Sequence, residues 1–269
     1  MKKVLYITII IILILSSSDI DDKNIIIYDK QDTPKIYNIV IDSGHSLNDG
    51  GAVHLVKEEV INNIMSNKLY NLLKYDTNYN PYLTNDYEFE NNSTKQRRNN
   101  AIKYKADFLI SIHNNINMFS NSTSGYELYL QLPSSKRYDE SYKMGMLIKE
   151  GYDTLGYHPS RSNGIVYAYF EKDHNGDYYR VLVNSEDIHL YSMDGPNFGV
   201  LETEKYPGIL IEHGYVDNKH DVYYMMNEYM INKTVSMYYL AICSYFNTTP
   251  ISYRFNYKET YIRYIPLND

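Results

Sequence analysis

Beyond residue 35, hydrophobic positions follow two different periods along the chain. Short runs of β-branched and apolar residues predict strands, and between them lie longer stretches in which apolar residues recur every three or four positions, as on one face of a helix. The predicted strands are residues 36–42, 82–84, 107–113, 126–130 and 208–213. The predicted helices are residues 58–75, 94–105 and 141–155, with one or two more within 218–246. Strands and helices that alternate in this order predict an α/β layered fold.

Two segments do not follow this alternation. Residues 159–195 are polar and rich in Asp, Asn, Gly and Tyr, and they contain Asn175-Gly176, a strong signal for a tight turn. We interpret them as a hairpin or long loop inserted before the last core strand. Residues 247–269 follow the last predicted helix and form a C-terminal tail, which either adds a strand or lies on the surface.

The N-terminal residues have the pattern of an export signal. Two lysines precede an apolar run at residues 4–15, and three serines follow it. The run is shorter than the roughly 20 residues that span a bilayer comfortably. We therefore expect residues 1–18 to be a signal peptide and residues 19–35 to be a linker, with the mature protein secreted or held in the cell envelope. An uncleaved signal would be its only attachment to the membrane.

Composition and charge narrow the function further. Hydrophobic residues make up 43% of the chain and charged residues 22%, which is ordinary for a globular protein. The net charge of −7, which becomes −9 without the predicted signal, argues against a nucleic-acid partner. The single cysteine, Cys243, excludes an internal disulfide framework and a cysteine-rich metal site. Outside the cytoplasm the protein has no ATP or reduced nicotinamide pool, so we expect hydrolysis or binding.

The ends of the strongest predicted strands carry the candidate chemistry. His45, His113 and Glu212 lie at or just beyond the ends of three apolar runs, and Glu58 begins the helix after the first of them. Sites in open α/β sheets form at the carboxyl ends of the strands. Two histidines and a carboxylate are the ligands of a catalytic zinc, and a further carboxylate can act as general base. We predict that His45, Glu58 and His113 bind zinc and that Glu212 is the base, with Glu59 as the alternative to Glu58.

Five sequence segments also carry a resemblance to one enzyme family. They are residues 40–45 with 49–53, 58–62, 97–101 with 106–115, 125–129 and 209–218. The first reads Val-Ile-Asp-Ser-Gly-His, and the last begins Ile-Leu-Ile-Glu-His-Gly. In this order the segments resemble the motifs of the zinc-dependent N-acetylmuramoyl-L-alanine amidases, whose catalytic domain is of the Amidase_3 type.

The resemblance implies a fold, a cofactor and a substrate. The fold is a single three-layer α/β/α domain with a central, mostly parallel twisted sheet, spanning residues 36–246, with residues 159–195 inserted beside the substrate groove. The cofactor is Zn2+. The substrate is peptidoglycan, cut at the amide between the lactyl group of N-acetylmuramic acid and the L-alanine of the peptide stem. The same motifs are those that hold the family's zinc ligands and its catalytic Glu.

Three further residues are candidates for substrate binding. Asn115 follows a predicted ligand, although a role in a turn fits equally well. Glu127 lies on the following strand, where it could instead orient a metal ligand. His213 is expected on the opposite face from Glu212 if the strand stays regular, and near the substrate if it does not.

Two other positions concern the surroundings of the site. Arg97 is either a solvated charge or part of an ion pair between its helix and the sheet. The Thr-Arg pair that is common in the family is Thr84-Asn85 here, so the function of that arginine is missing or is supplied elsewhere.

Two alternative functions remain at this point. A zinc peptidase could cut within the peptide stem, and a catalytically silent relative would only bind the wall. The partners expected are peptidoglycan and, in some members of such a family, a protein activator.

Overall fold

The computed structural model describes residues 35–46, 48–85, 92–193 and 195–251. The predicted signal peptide, residues 19–34 of the linker and the tail beyond residue 251 lie outside the described residues. The chain divides into residues 1–35 and residues 36–269, and the fold described below is that of the second unit. None of the described helices is long and apolar enough to cross a membrane.

In the part of the chain that the structure describes, seven strands form one mixed sheet. They are β1 (Tyr37–Ser43), β2 (Tyr79–Leu83), β3 (Phe108–Asn115), β4 (Glu127–Leu130), β5 (Ile165–Lys172), β6 (Tyr178–Asn184) and β7 (Gly208–Tyr215). Their order across the sheet is β2, β1, β3, β7, β4, β5, β6. The first four run parallel, β4 is antiparallel to β7, and β5 is parallel to β4 but antiparallel to β6. The predicted mostly parallel sheet is confirmed.

Helices cover both faces of this sheet. They are α1 (Glu58–Lys74), α2 (Thr94–Lys103), α3 (Tyr138–Leu155), α4 (Lys219–Met226) and α5 (Glu228–Phe246). Buried apolar residues of α1, α3 and α5 pack on one face of the sheet. The other face is covered by α2 and a short 3₁₀ helix, Gly199–Leu201, which contribute Ala101 and Leu201 to a smaller core. The predicted three-layer α/β/α architecture is therefore confirmed.

Strand alternation decides which polar side chains share the smaller face. Val40, Leu109 and Leu210 belong to the core on that face. Side chains two or four residues further along a strand point to the same side. Asp42 and His113 therefore lie on this face, towards the carboxyl ends of β1 and β3, and Glu212 does so on β7. The alternation brings the candidate chemistry to one edge of the sheet.

The segment 159–195 contains a hairpin. Its strands β5 and β6 are joined by a turn in which Gly176 has a φ of 88°, and Gly176 N donates to Asp173 O. The hairpin is also part of the central sheet, because β5 pairs with β4 and buries Tyr167 and Tyr169 completely. The polar appearance of the segment concealed this buried strand.

Candidate active site

The predicted ligands His45, Glu58 and His113 meet at the carboxyl end of the sheet. One potential ligand atom from each lies within 4.8 Å of the others, and among the described residues no other group of His, Cys, Asp and Glu does so. Glu58 Oε1 is 2.9 Å from His113 Nδ1, and Glu58 Oε2 is 3.4 Å from His45 Nε2. The structure thus brings together three residues that are far apart in sequence.

The carboxylate of Glu58 is fixed from several directions. Ala52 N donates to Oε2 at 2.8 Å, and Asn114 N donates to Oε1 at 3.1 Å. Asn62 Nδ2 also donates to Oε1, at 3.2 Å. Burial acts to raise the pKa of Glu58, but the hydrogen bond and positive charge of His113, with smaller contributions from His45 and Ala52, lower it to about 2. Glu58 is therefore an anion aimed at the two imidazoles.

Two glycines allow these side chains to come so close to the backbone. A Cβ atom on Gly44 would lie 2.3 Å from His113 Cε1, and one on Gly51 would lie 2.5 Å from Glu58 Oε2. Gly51 also has a left-handed φ of 62°, which favours glycine. The result is a small cradle of two imidazoles and one carboxylate, a donor set that suits zinc.

Glu59 does not join this cluster. Its carboxylate lies 3.9 Å from Lys57 Nζ, and the residue is almost fully buried beside the ligand-bearing one. Burial raises its pKa. Of the two adjacent glutamates, the structure directs Glu58 at the histidines.

Glu212 stands directly beside the cluster. In the sheet it is paired with His113 of β3 on one side and with Glu127 of β4 on the other. The side chain is half-buried, and Oε2 has no hydrogen-bond partner among the described residues. Burial raises the pKa of Glu212, the nearby carboxylates of Glu58 and Glu127 raise it further, and Arg180 opposes them. An unengaged carboxylate with a raised pKa is suited to receiving and returning a proton.

These four residues lie in an open groove of about 1270 Å³. His45, Glu58, His113 and Glu212 line one part of it. The opposite part is lined by the hairpin and the segment that follows it, which contribute Phe170, Tyr178, Arg180 and Phe198. The hairpin of the predicted insertion therefore forms one wall of the groove.

A comparison with protein families places the whole domain. Residues 39–244 match the family described as N-acetylmuramoyl-L-alanine amidase. The chain belongs to this family. Its members are amide hydrolases, and peptidoglycan of the cell wall is their class of substrate. A comparison with curated proteins gave no match.

Solved structures of amidases share the fold. The catalytic domain of CwlV from Bacillus (Paenibacillus) polymyxa var. colistinus is 23% identical, with a TM-score of 0.58 over 80% of this chain and 100% of that one. The N-acetylmuramoyl-L-alanine amidase of Clostridium difficile 630 is 21% identical, with a TM-score of 0.62 over 79% and 98%. The CwlD amidase of Clostridioides difficile, in complex with the GerS lipoprotein, is 20% identical, with a TM-score of 0.52 over 78% and 98%. At these identities the similarity establishes the fold.

The structure separates the three predicted substrate-binding residues of this amidase. Asn115 is half-buried and lines the groove, so its substrate contact stays a prediction. Glu127 is fully buried. His213 is 3% exposed on the opposite face from Glu212, where Tyr152 lies 2.9 Å from its Nδ1. Contrary to the prediction, neither Glu127 nor His213 is therefore placed to contact the substrate directly.

Glu127 and His213 are kept from the groove for different physical reasons. His213 follows Glu212, the last β7 residue in regular register with β3, and its ring lies against Tyr152 in the large core. Glu127 faces the groove side of the sheet but is covered by its own partners. Tyr129, Tyr215, Ser160 and Arg161 all bond to its carboxylate at 2.6–3.0 Å. Burial acts to raise the pKa of Glu127, and these partners lower it overall.

Arg97 forms the predicted ion pair between helix and sheet. Its Nη1 donates to Asp42 Oδ2 at 2.6 Å, and Ser111 Oγ donates to the same oxygen at 2.6 Å. Burial acts to raise the pKa of Asp42, but Arg97 leads the groups that lower it. Asn85, where family members often have arginine, donates to the carbonyls of Ser43 and His45 at 3.3 Å each. Asn85 thus supports the loop that carries a predicted ligand.

The groove-lining residues of the hairpin were not predicted from the sequence. Arg180 follows Tyr178 by two residues, and this spacing places both on one face of a strand. This spacing could be interpreted only when residues 178–184 were known to form the strand β6.

Proposed function

We propose that this chain is an exported, zinc-dependent N-acetylmuramoyl-L-alanine amidase. It hydrolyses the amide between the lactyl group of N-acetylmuramic acid and L-alanine in peptidoglycan. The observation that carries the proposal is the convergence of His45, Glu58 and His113 beside Glu212, in an open groove of a family amidase. Export rests on the predicted signal at residues 1–18.

The metal's contribution is set by its donor residues. His45, Glu58 and His113 would hold zinc, which when bound polarises the amide carbonyl and lowers the pKa of a water to about 7. The anionic state of Glu58 suits a ligand, since its pKa is lowered to about 2. Asn62, Asn114 and the backbone of Ala52 keep that carboxylate in place before any substrate arrives.

Glu212 moves the proton during hydrolysis. Its carboxylate takes a proton from the attacking water as oxygen bonds to the lactyl carbon. It then gives that proton to the alanine nitrogen as the carbon–nitrogen bond breaks, which leaves a lactyl carboxylate and a free L-alanine amine. The free oxygen of Glu212 and its place beside His113 suit both transfers.

The test is a digest of purified peptidoglycan with residues 19–269, read by mass spectrometry. We expect free stems with N-terminal L-alanine and intact glycan chains. A chelator should abolish these products, and added zinc should restore them. Cleavage inside the stem would instead identify a zinc peptidase.

A digest that yields no cleavage products would have two possible explanations. Zinc-loaded protein that binds the wall without cutting it would be a silent wall-binding relative, or an amidase that needs a protein activator. The CwlD amidase, a protein of the same fold, forms a complex with a lipoprotein. Recovery of cleavage upon addition of an envelope extract would identify the second case.

A further inference from the structure

We propose that Arg180 binds a carboxylate on the peptide stem and makes this enzyme prefer acidic stems. The inference rests on the proposed function and extends it to substrate choice. It concerns the hairpin side of the groove, which lies across from His45, Glu58 and His113.

The sheet fixes where Arg180 points. Arg180 of β6 is paired with Phe170 of β5, and both residues line the groove. Leu182, two residues further along β6, packs into the core on the groove face. Alternation therefore presents Arg180 to the groove, although its side chain remains exposed to solvent.

An aromatic ring holds the guanidinium in position. The guanidinium carbon of Arg180 lies 5.2 Å from the ring centre of Phe198, a cation–π contact. Phe198 in turn packs near Phe170 and Tyr129, with ring centres 6.3 Å and 5.9 Å away. Such a contact restricts the arginine before it meets a ligand, which reduces the entropy lost on binding.

The segment that carries Phe198 is itself fastened to β5. Phe170 N donates to Pro196 O at 3.1 Å, and Asn197 forms a bridge with Tyr169. Gly195 lies so close that a Cβ atom there would be 1.8 Å from Phe170 O. The contact between Arg180 and Phe198 is therefore held in place by β5 and β6.

Arg180 differs from the other arginines of the groove in its charge balance. Arg97 is neutralised by Asp42, and Arg98 is paired with Glu202. Among the described residues no carboxylate pairs with Arg180 or with Lys95. Lys95 is an exposed lysine with a flexible side chain. Arg180 has a planar guanidinium that lies over the Phe198 ring, and a guanidinium can donate two parallel hydrogen bonds to one carboxylate.

The ligand chemistry follows from position and charge. Arg180 and Glu212 line the same groove. A stem bound for cleavage begins at the scissile amide beside Glu212 and continues along the groove. Carboxylates are the anionic groups that a peptide stem carries, so they are the groups that Arg180 would meet.

The test compares two soluble muramoyl peptides. One has free stem carboxylates, and its matched derivative has each of them converted to a carboxamide. We expect the unmodified zinc-loaded protein to cleave the free acid with a kcat/KM roughly 10-fold higher or more, the size of a charge-assisted contact. Arg180→Gln should lower kcat/KM for the free acid to that for the carboxamide. Lys233→Gln removes an exposed charge from α5, on the other face of the sheet, and should keep the preference.

Two results would overturn the proposal. Arg180→Gln could lower kcat/KM equally for both peptides, or it could leave the preference intact. Failure of the proposed function looks different, because the unmodified protein would then cleave neither peptide at the lactyl amide. In that case the dissociation constants of both peptides, measured for the unmodified protein and for the Arg180→Gln variant, decide the question of charge recognition alone.

Discussion

Glu58 and Glu212 are two glutamates of one site whose surroundings separate their pKa values. Glu58 is buried and Glu212 is half-buried, and loss of contact with water favours the neutral form of both. Glu58 gains imidazoles and backbone donors that lower its pKa to about 2. Glu212 has other carboxylates for neighbours, and its pKa is raised. A carboxylate that stays charged suits a ligand, and one that accepts a proton suits a base, so the environments assign the two functions.

This assignment predicts the effect of Glu212→Gln. The amide keeps the size of the side chain but cannot take a proton from water, so we expect kcat to fall by about 10²–10⁴. Zinc content, measured by mass spectrometry of the intact protein, should remain at one ion per chain. A variant that retained substantial activity with zinc bound would show that another group acts as the base.

The close approach at Gly44 makes a second prediction. Because a Cβ atom would lie 2.3 Å from the His113 ring, Gly44→Ala must displace that ring or the loop. We expect zinc affinity to fall about 10–100-fold, as when the support of a ligand is lost. Competition with a chromophoric chelator measures this. Ser134→Ala is the control, since this exposed side chain lies in the loop between β4 and α3, away from the ligands in sequence.

The sequence was sufficient to predict which residues meet at the candidate metal centre, and the reason is periodicity. His45, His113 and Glu212 terminate apolar runs, and parallel strands bring such ends to one edge. It was insufficient for Glu127 and Arg180. The burial of Glu127 depends on Tyr215 and Ser160, which come from distant parts of the chain. The exposure of Arg180 to the groove depends on β6 joining the sheet.

At the level of elements, one buried ion pair joins β1 to α2. Asp42 is fully buried and Arg97 is 6% exposed, so water cannot replace either partner. We expect Arg97→Met to lower the free energy of unfolding by about 3–5 kcal/mol, because it leaves a buried carboxylate unpaired. Chemical denaturation at pH 7 measures the change. The double variant with Asp42→Asn should lose less than the two single variants together.

The same pair has a defined pH dependence. The pKa of Asp42 is lower in the folded protein than in an unfolded chain. Its stabilisation is therefore complete above the unfolded pKa of about 3.9 and is lost as the pH falls through the folded value. In Arg97→Met, burial without the guanidinium raises the pKa of Asp42, so the stability difference between the wild type and Arg97→Met should already begin to shrink above pH 4 and continue to shrink as the pH falls towards the wild type's folded value. A difference that stayed constant would contradict the ion-pair explanation.

The direction of strands was the part of the elements that sequence could not supply. A period of two identifies a strand but not its partner, so the antiparallel pairing of β4 with β7 was not predictable from the pattern. The strand β5 was hidden for another reason. Its interior is filled by tyrosines, including Tyr167 and Tyr169, and polar residues surround it in sequence. Burial of their rings in the large core is consistent with the place of β5 between β4 and β6 in the sheet.

For the whole molecule, His213 links stability to pH. Burial lowers its pKa from 6.5 to about 4. The unfolded chain therefore binds a proton more readily, and stability falls as the pH drops from about 6.5 to about 4. Between pH 7 and pH 5 this histidine should cost about 2 kcal/mol. Denaturation of the wild type and of His213→Gln at both pH values isolates the contribution, and equal pH slopes would contradict it.

The pairing of His113 with Glu212 has a consequence for how the protein forms. It joins positions about 100 residues apart in the chain, and such non-local contacts are slow to form because a long loop must close first. Residues 45 and 58 precede that loop, and the base follows it. The hydrolytic centre therefore exists only after β7 has been synthesised and has paired with β3, and a growing chain is chemically silent until this last core strand is in place.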